Sequence, residues 1–173
     1  YIHYGMTSQD LLDTCTAIQI KESISVILID LKSLMHNLRR RATEHKFTRC
    51  VARSHGIHAE PTTFGLKLLG HYSSFKRCYK RLINSIHDIC RIKCSGAVGT
   101  YSSIDPEVEN HLSEQFGVLP EDVSTQVVPR DRYAVLMSLL GIIGGCIENL
   151  AVEIRHLQRT EVGEVHEEFT KGQ

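Results

Sequence analysis

The sequence predicts an all-α protein, a bundle of long helices, and three observations carry that prediction. Three stretches repeat apolar residues every three or four positions, each is long, and capping or helix-breaking residues bound them. The first stripe is Ile20, Ile24, Ile27, Leu31, Leu34 and Leu38. The second is Leu68, Tyr72, Phe75, Tyr79, Leu82, Ile86 and Ile89. The third is Leu136, Leu140, Ile143, Ile147, Leu150, Ile154 and Leu157. Such steps put each set on one helix face. Helices of roughly 30–38 residues would be about 45–55 Å long at 1.5 Å per residue. They suit a bundle shared between chains better than a compact globule of 173 residues.

Taken in order, Thr7-Ser8-Gln9-Asp10 has the Ser/Thr-x-x-acid form of a capping box, so the first helix opens near Ser8. Pro61 suits the first turn of the second, where a missing N–H costs nothing. That helix should end in the glycine-bearing segment Cys94–Gly99. Asp105-Pro106 starts a short helix to about Phe116, closed by Gly117. Pro120 and Pro129 bracket a loop, and the third long helix begins near Arg130. A further turn is expected over Glu164–Thr170. Gly141, Gly144 and Gly145 fall inside the third helix at up to about 1 kcal/mol each against Ala, which implies close approach of a neighbouring helix.

Lys plus Arg and Asp plus Glu balance at 20 each, so no net field points to nucleic acid or a charged surface. Arg39-Arg40-Arg41 and Lys76-Arg77 with Lys80-Arg81 read as solvated faces, without the interleaved aromatics of a nucleic-acid site. Unbroken apolar runs such as Val26–Ile29 are far short of a membrane span, so no membrane partner is expected. Six cysteines form no Cys-x-x-Cys pair and read as reduced thiols in a cytoplasmic protein. His87, Cys90 and Cys94 would share one helix face, but no fourth soft ligand completes a zinc site, so no metal is expected. There is no initiator Met and no signal segment; both ends read as cuts.

Four connecting segments, residues 1–8, 53–60, 94–104 and 118–129, hold small polar residues, and three run longer than a bundle needs. Residues 53–60 place Ser54, His55, His58 and Glu60 ahead of a helix N-terminus, where anions are favoured. An imidazole titrates near neutrality, which makes His55 a candidate proton donor or acceptor. With ten histidines in the chain, the residues alone leave a surface or hydrogen-bonded His55 open. A His55/His58 metal pair lacks a third ligand, and no Gly-x-Ser-x-Gly elbow supports a serine nucleophile. The loop 94–104 could wrap an anion with backbone N–H groups, although its spacing fits neither a P-loop nor a dinucleotide fingerprint. Ser124-Thr125-Gln126 could hold a carboxylate or a purine edge.

Together and in order, five segments resemble the adenylosuccinate lyase family of the fumarase/aspartase superfamily. They are IHYGMTSQDLLDT (2–14), RSHGIHAEPTTFGLK (53–67), SGAVGTYSSIDPEVE (95–109), STQVVPRDRYA (124–134) and AVEIRHLQRTEVGEVHEEFTKGQ (151–173). Gly-Ile-His-Ala-Glu-Pro separates them from fumarases and argininosuccinate lyases, which have a Thr-His-Leu-Gln-like sequence at this point. The resemblance implies that residues 1–173 are part of a central helical-bundle domain, in a homotetramer whose active sites are assembled from three chains. It implies β-elimination of fumarate from adenylosuccinate to give AMP, and from succinylaminoimidazole carboxamide ribotide, in purine biosynthesis, with no cofactor.

By motif position, His55 matches the family's general acid toward the leaving nitrogen. Ser54 stands where many members have Thr. Thr7, Ser8 and Gln126 match substrate-binding positions, and His3 and Tyr4 match active-site positions. The family's signature loop, with its catalytic Ser base, Lys and Asn, would begin past Gln173. Its N-terminal region and C-terminal helical domain also lie outside these residues. A chain of this length alone is therefore expected to be inactive. Two other readings are a helical scaffold without enzymatic function, which the stripes alone would support, and a sister lyase with another fumarate-releasing substrate.

Overall fold

The computed structural model describes residues 2–168. Helix α1 runs Ser8–Glu44. The Thr7 N–H donates to Asp10 Oδ2 at 2.8 Å, the acid's half of the capping motif, and the Asp10 N–H donates to the Thr7 carbonyl at 3.1 Å. A β-hairpin follows, with β1 Arg49–Ser54 antiparallel to β2 Ile57–Thr63. Helix α2 spans Phe64–Asn84 and a single turn, α3, spans Ile86–Ile89. Next come β3 (Arg91–Ile92), α4 (Pro106–Phe116), β4 (Leu119–Pro120, parallel to β3) and α5 (Asp131–Leu157).

The chain is thus mainly helical, and two small sheets correct the all-α expectation. The hairpin also moves the start of the second helix. Pro61 lies in β2 opposite Val51, beside a bulge between Val51 and Arg53, a place where a residue without an N–H is tolerated. Thr63 caps α2 instead, accepting from the Leu66 N–H at 3.2 Å. At its far end α2 breaks at Ser85, and α3 prolongs the apolar stripe past the break. Cys90 and Cys94 lie beyond α3, so they share no helix face with His87.

The short helix and the last long one begin where their signals predicted. Asp105 caps α4 by accepting from the Glu107 N–H at 2.9 Å, and Gly117 closes it in the left-handed conformation. Arg130 precedes α5. Of the turn expected over Glu164–Thr170, residues 164–168 are irregular and the remainder lies outside the described residues.

Apolar contact between α1, α2 and α5 forms the core. Ile24, Leu31 and Leu38 of α1 are buried with Leu68, Phe75 and Leu82 of α2 and Leu136 and Ile143 of α5. Gly65 lets α2 start hard against the end of α1. A Cβ there would fall 2.4 Å from the Ala42 carbonyl oxygen. Helix α2 is antiparallel to both long partners: Lys67 meets Glu153 at its start, and Cys78 Sγ lies 3.7 Å from Cys146 Sγ further on.

Helix α5 is covered on one side only. Met137, Ile142, Ile147 and Ile154 are exposed, and Gly141, Gly144 and Gly145 have nothing within 4 Å of an added Cβ. Among the described residues no other helix approaches those glycines, so the neighbouring helix expected there is not supplied by this part of the chain. Among the described residues α5 is the one helix long and apolar enough to cross a membrane, by length and composition only. A search for unbroken apolar runs misses it because Ser138 and the glycines interrupt the pattern.

Candidate active site

The residues singled out by sequence fall into two groups, one at each end of α1. The first group surrounds the helix N-terminus. Asp10, 1% exposed, ties it together. Its carboxylate pairs with the Nζ of the equally buried Lys93 and accepts from the backbone N–H groups of Thr7, Ser95 and Gly96, at 2.8, 3.1 and 3.2 Å. Lys93 Nζ also donates to the Gly96 carbonyl at 2.7 Å, and its own peptide exchanges two hydrogen bonds with Thr14 Oγ1. A buried charge is tolerated only with such pairing.

The glycine-bearing loop is therefore fastened directly to the cap that carries Thr7 and Ser8. Further along it, Glu109 of α4 accepts from the Cys94 N–H at 2.6 Å and from the Tyr101 hydroxyl at 2.5 Å. Burial, then that hydrogen bond, pushes the Tyr101 hydroxyl up to about 12. Burial likewise raises the thiols of Cys90 and Cys94 to about 11, so both stay protonated.

The segment with Gln126 joins the same end. Ser124 Oγ lies 2.8 Å from Ser95 Oγ, the Val128 N–H donates to Asp13 Oδ2 at 2.8 Å, and Arg130 pairs with Asp13 at 2.9 Å. His3 and Tyr4 form an exposed turn just before the cap, with His3 at φ 70°. They line a cleft of about 600 Å³ with Met6, Ser103, Ile104 and Asp105. Thr7, Ser8, Gln126, His3 and Tyr4 thus belong to one end of the molecule.

Ser54 and His55 occupy the other. His55 and Gly56 are the two residues between paired Ser54 and Ile57, at φ 54° and 76°. Two positive φ values in a two-residue loop define a type I′ turn, whose twist matches that of the strands. Glycine adopts it freely, and histidine tolerates it better than most side chains. His55 is exposed at the tip. Beneath the hairpin Arg53 Nη2 pairs with Glu164 Oε1 at 2.5 Å and Lys67 Nζ with Glu153 Oε1 at 2.7 Å. Arg53, Lys67 and Glu153 adjoin a cavity of about 390 Å³ that Gly56, His156 and Arg159 help to line.

The 37 residues of α1 put the two ends on the order of 50 Å apart. One chain does not bring His55 to Thr7, Ser8 or Gln126. From sequence Asp10 reads as a cap alone, because its partner Lys93 is 83 residues away. The hairpin's signal was the His-Gly pair between short alternating runs, which the bulge obscured.

The sequence profile of the lyase family matches residues 1–173. The chain belongs to that family. It is 51% identical over 173 residues to the adenylosuccinate lyase of Aquifex aeolicus, and 50% identical to that of Thermotoga maritima. Both matches cover 100% of this chain and 40% of the relative, so the chain spans about two fifths of the length of these lyases. Its fold resembles the crystal structure of a fumarate lyase from Mesorhizobium sp. BNC1 at a TM-score of 0.87 and 30% identity. That likeness covers 93% of this chain and 38% of the other.

Proposed function

We propose that this lyase chain is the central helical-bundle portion of an adenylosuccinate lyase, which eliminates fumarate from adenylosuccinate to give AMP and cleaves the related succinylaminoimidazole carboxamide ribotide. One observation carries the reading: similarity to enzymes of that name runs through all 173 residues at about half identity, loops included. A helical scaffold has no need of such likeness in its loops.

β-Elimination needs a base to take the proton beside a carboxylate, stabilisation of the resulting anion, and an acid for the departing nitrogen. The C–N bond breaks, its electron pair stays on nitrogen, and His55 supplies the proton there. Thr7, Ser8, Ser54 and Gln126 offer hydroxyl and amide groups for the substrate, and His3 and Tyr4 line the same site. The scheme invokes neither a metal nor an organic cofactor.

The separation of the two groups supports a site shared between copies, with His55 of one chain meeting Thr7 and Gln126 of another. Helix α5 supports it too. An apolar helix with only 17% of its most apolar 18-residue window buried must be covered by something. We assign that cover to neighbouring copies in a cytoplasmic homotetramer.

The full-length protein carrying His55→Ala tests the assignment. The parent enzyme should release fumarate from adenylosuccinate, and the variant should lose roughly 10²–10⁴-fold in kcat. A variant near parental rate overturns the role of His55. A parent enzyme that ignores adenylosuccinate overturns the substrate and favours a sister lyase. The isolated 173-residue chain should release no fumarate.

A further inference from the structure

The His55 turn makes few contacts of its own. Its two residues are exposed, and a Cβ on Gly56 would meet nothing within 4 Å among the described residues. A two-stranded hairpin is marginal in isolation, so the placement of this turn depends on what holds its legs. Both legs lead to ion pairs with the last part of α5 and the segment behind it.

On the first leg, Arg53 directly precedes Ser54-His55 and reaches Glu164 with its Nη2. The two side chains are 22% and 25% exposed, which limits solvent screening. Glu164 is itself anchored, its N–H donating to the Leu157 carbonyl at 2.9 Å. The pair raises the affinity of the guanidinium for its proton and lowers that of the carboxylate, so both partners favour the charged state. On the second leg, Lys67 in the first turn of α2 holds Glu153 of α5, with side chains 19% and 36% exposed.

We propose that Arg53 and Glu164 are positioning residues that set where the His55 imidazole stands, with Lys67–Glu153 bracing the hairpin's other leg. The inference rests on His55 as the proton donor. Arg53 and Glu164 are assigned no contact with substrate; they act through the turn. The contact to Glu164 is a single N···O bond from one guanidinium nitrogen, which an ammonium can replace.

The test uses the full-length enzyme, with kcat, KM and oligomeric state measured for each variant. Glu164→Gln and Arg53→Met should each lower kcat roughly 10–100-fold, as misplacement of a catalytic group does. KM should stay within about threefold, since neither residue binds substrate. Arg53→Lys should stay within about threefold of the parent in kcat, and the reversed pair Arg53→Glu/Glu164→Arg should recover at least about tenfold over Arg53→Glu. In a His55→Ala background, Glu164→Gln should cost less than about twofold, because the group it positions is gone.

Glu164→Gln at parental kcat overturns the proposal. So does a full additional loss in the His55→Ala background, or an Arg53→Lys variant as impaired as Arg53→Met. If Glu164→Gln fails to assemble, the Lys-versus-Met comparison at Arg53 decides. His55→Ala at parental rate overturns the underlying role of His55, a result separate from any of these.

Discussion

The two ends of α1 are built on opposite principles. At the N-terminal end, Asp10, Lys93 and Glu109 are buried, and their hydrogen bonds bind the cap, the glycine-bearing loop and α4 into one unit. At the C-terminal end, His55 stands on an exposed two-residue turn whose legs are held by partly exposed ion pairs. One end is organised by its own chain; the other presents a group outward. Under the proposed function a site divided in this way would have a rigid floor and a reaching arm, so damage should show as lost folding at the first end and lost chemistry at the second.

The largest break is expected at the floor. Asp10→Ala strands the Lys93 ammonium in the interior and should destabilise the chain by about 3–5 kcal/mol, read as a lower urea midpoint. A midpoint near the parental value would mean that the pair does not organise this end. Next comes His55→Asn in the full-length enzyme. Asn suits a type I′ turn, so the melting temperature should hold while kcat falls roughly 10²–10⁴-fold. Melting that falls with activity would erase the contrast between the ends.

A smaller effect is expected one residue on. Gly56→Ala places a Cβ in the left-handed region at about 1–2 kcal/mol, without touching a neighbour. Faster amide exchange confined to residues 49–63 is the expected readout. The smallest effect concerns pH. Arg53 lowers the proton affinity of Glu164, so this pair's contribution is complete above the ordinary carboxylate range and is lost as pH falls through the lowered value. Hairpin protection should therefore weaken as pH falls below the ordinary carboxylate range, and Glu164→Gln should remove that dependence.

Local signals were legible. The Thr7–Asp10 cap and the Asp105-Pro106…Gly117 frame are complete within a few residues each, and the structure has them where the sequence placed them. Each apolar stripe also points into the core, although α5 buries only part of its own. What escaped depended on partners far along the chain or on a disguised period. Lys93 declares nothing until it meets Asp10. The hairpin hides because a bulge interrupts its alternation and because His-Gly is a less familiar turn pair than Asn-Gly. Ile86 and Ile89 kept the second stripe going across a break at Ser85, so that helix looked longer than it is. Of the positions proposed for the site, residue chemistry alone offered Ser54, His55 and Gln126 as candidates among others, and only the resemblance gave them roles or pointed to Thr7, Ser8, His3 and Tyr4.

The distance of about 50 Å along α1 has a consequence for inheritance. Under the proposed sharing of sites between copies, a chain damaged at Ser8 and another damaged at His55 would each spoil a different component. Mixed in one cell, they would form assemblies in which some sites draw an intact cap from one parent and an intact hairpin from the other. Two silent alleles would then restore each other, whereas two alleles hit at the same end of the helix would not.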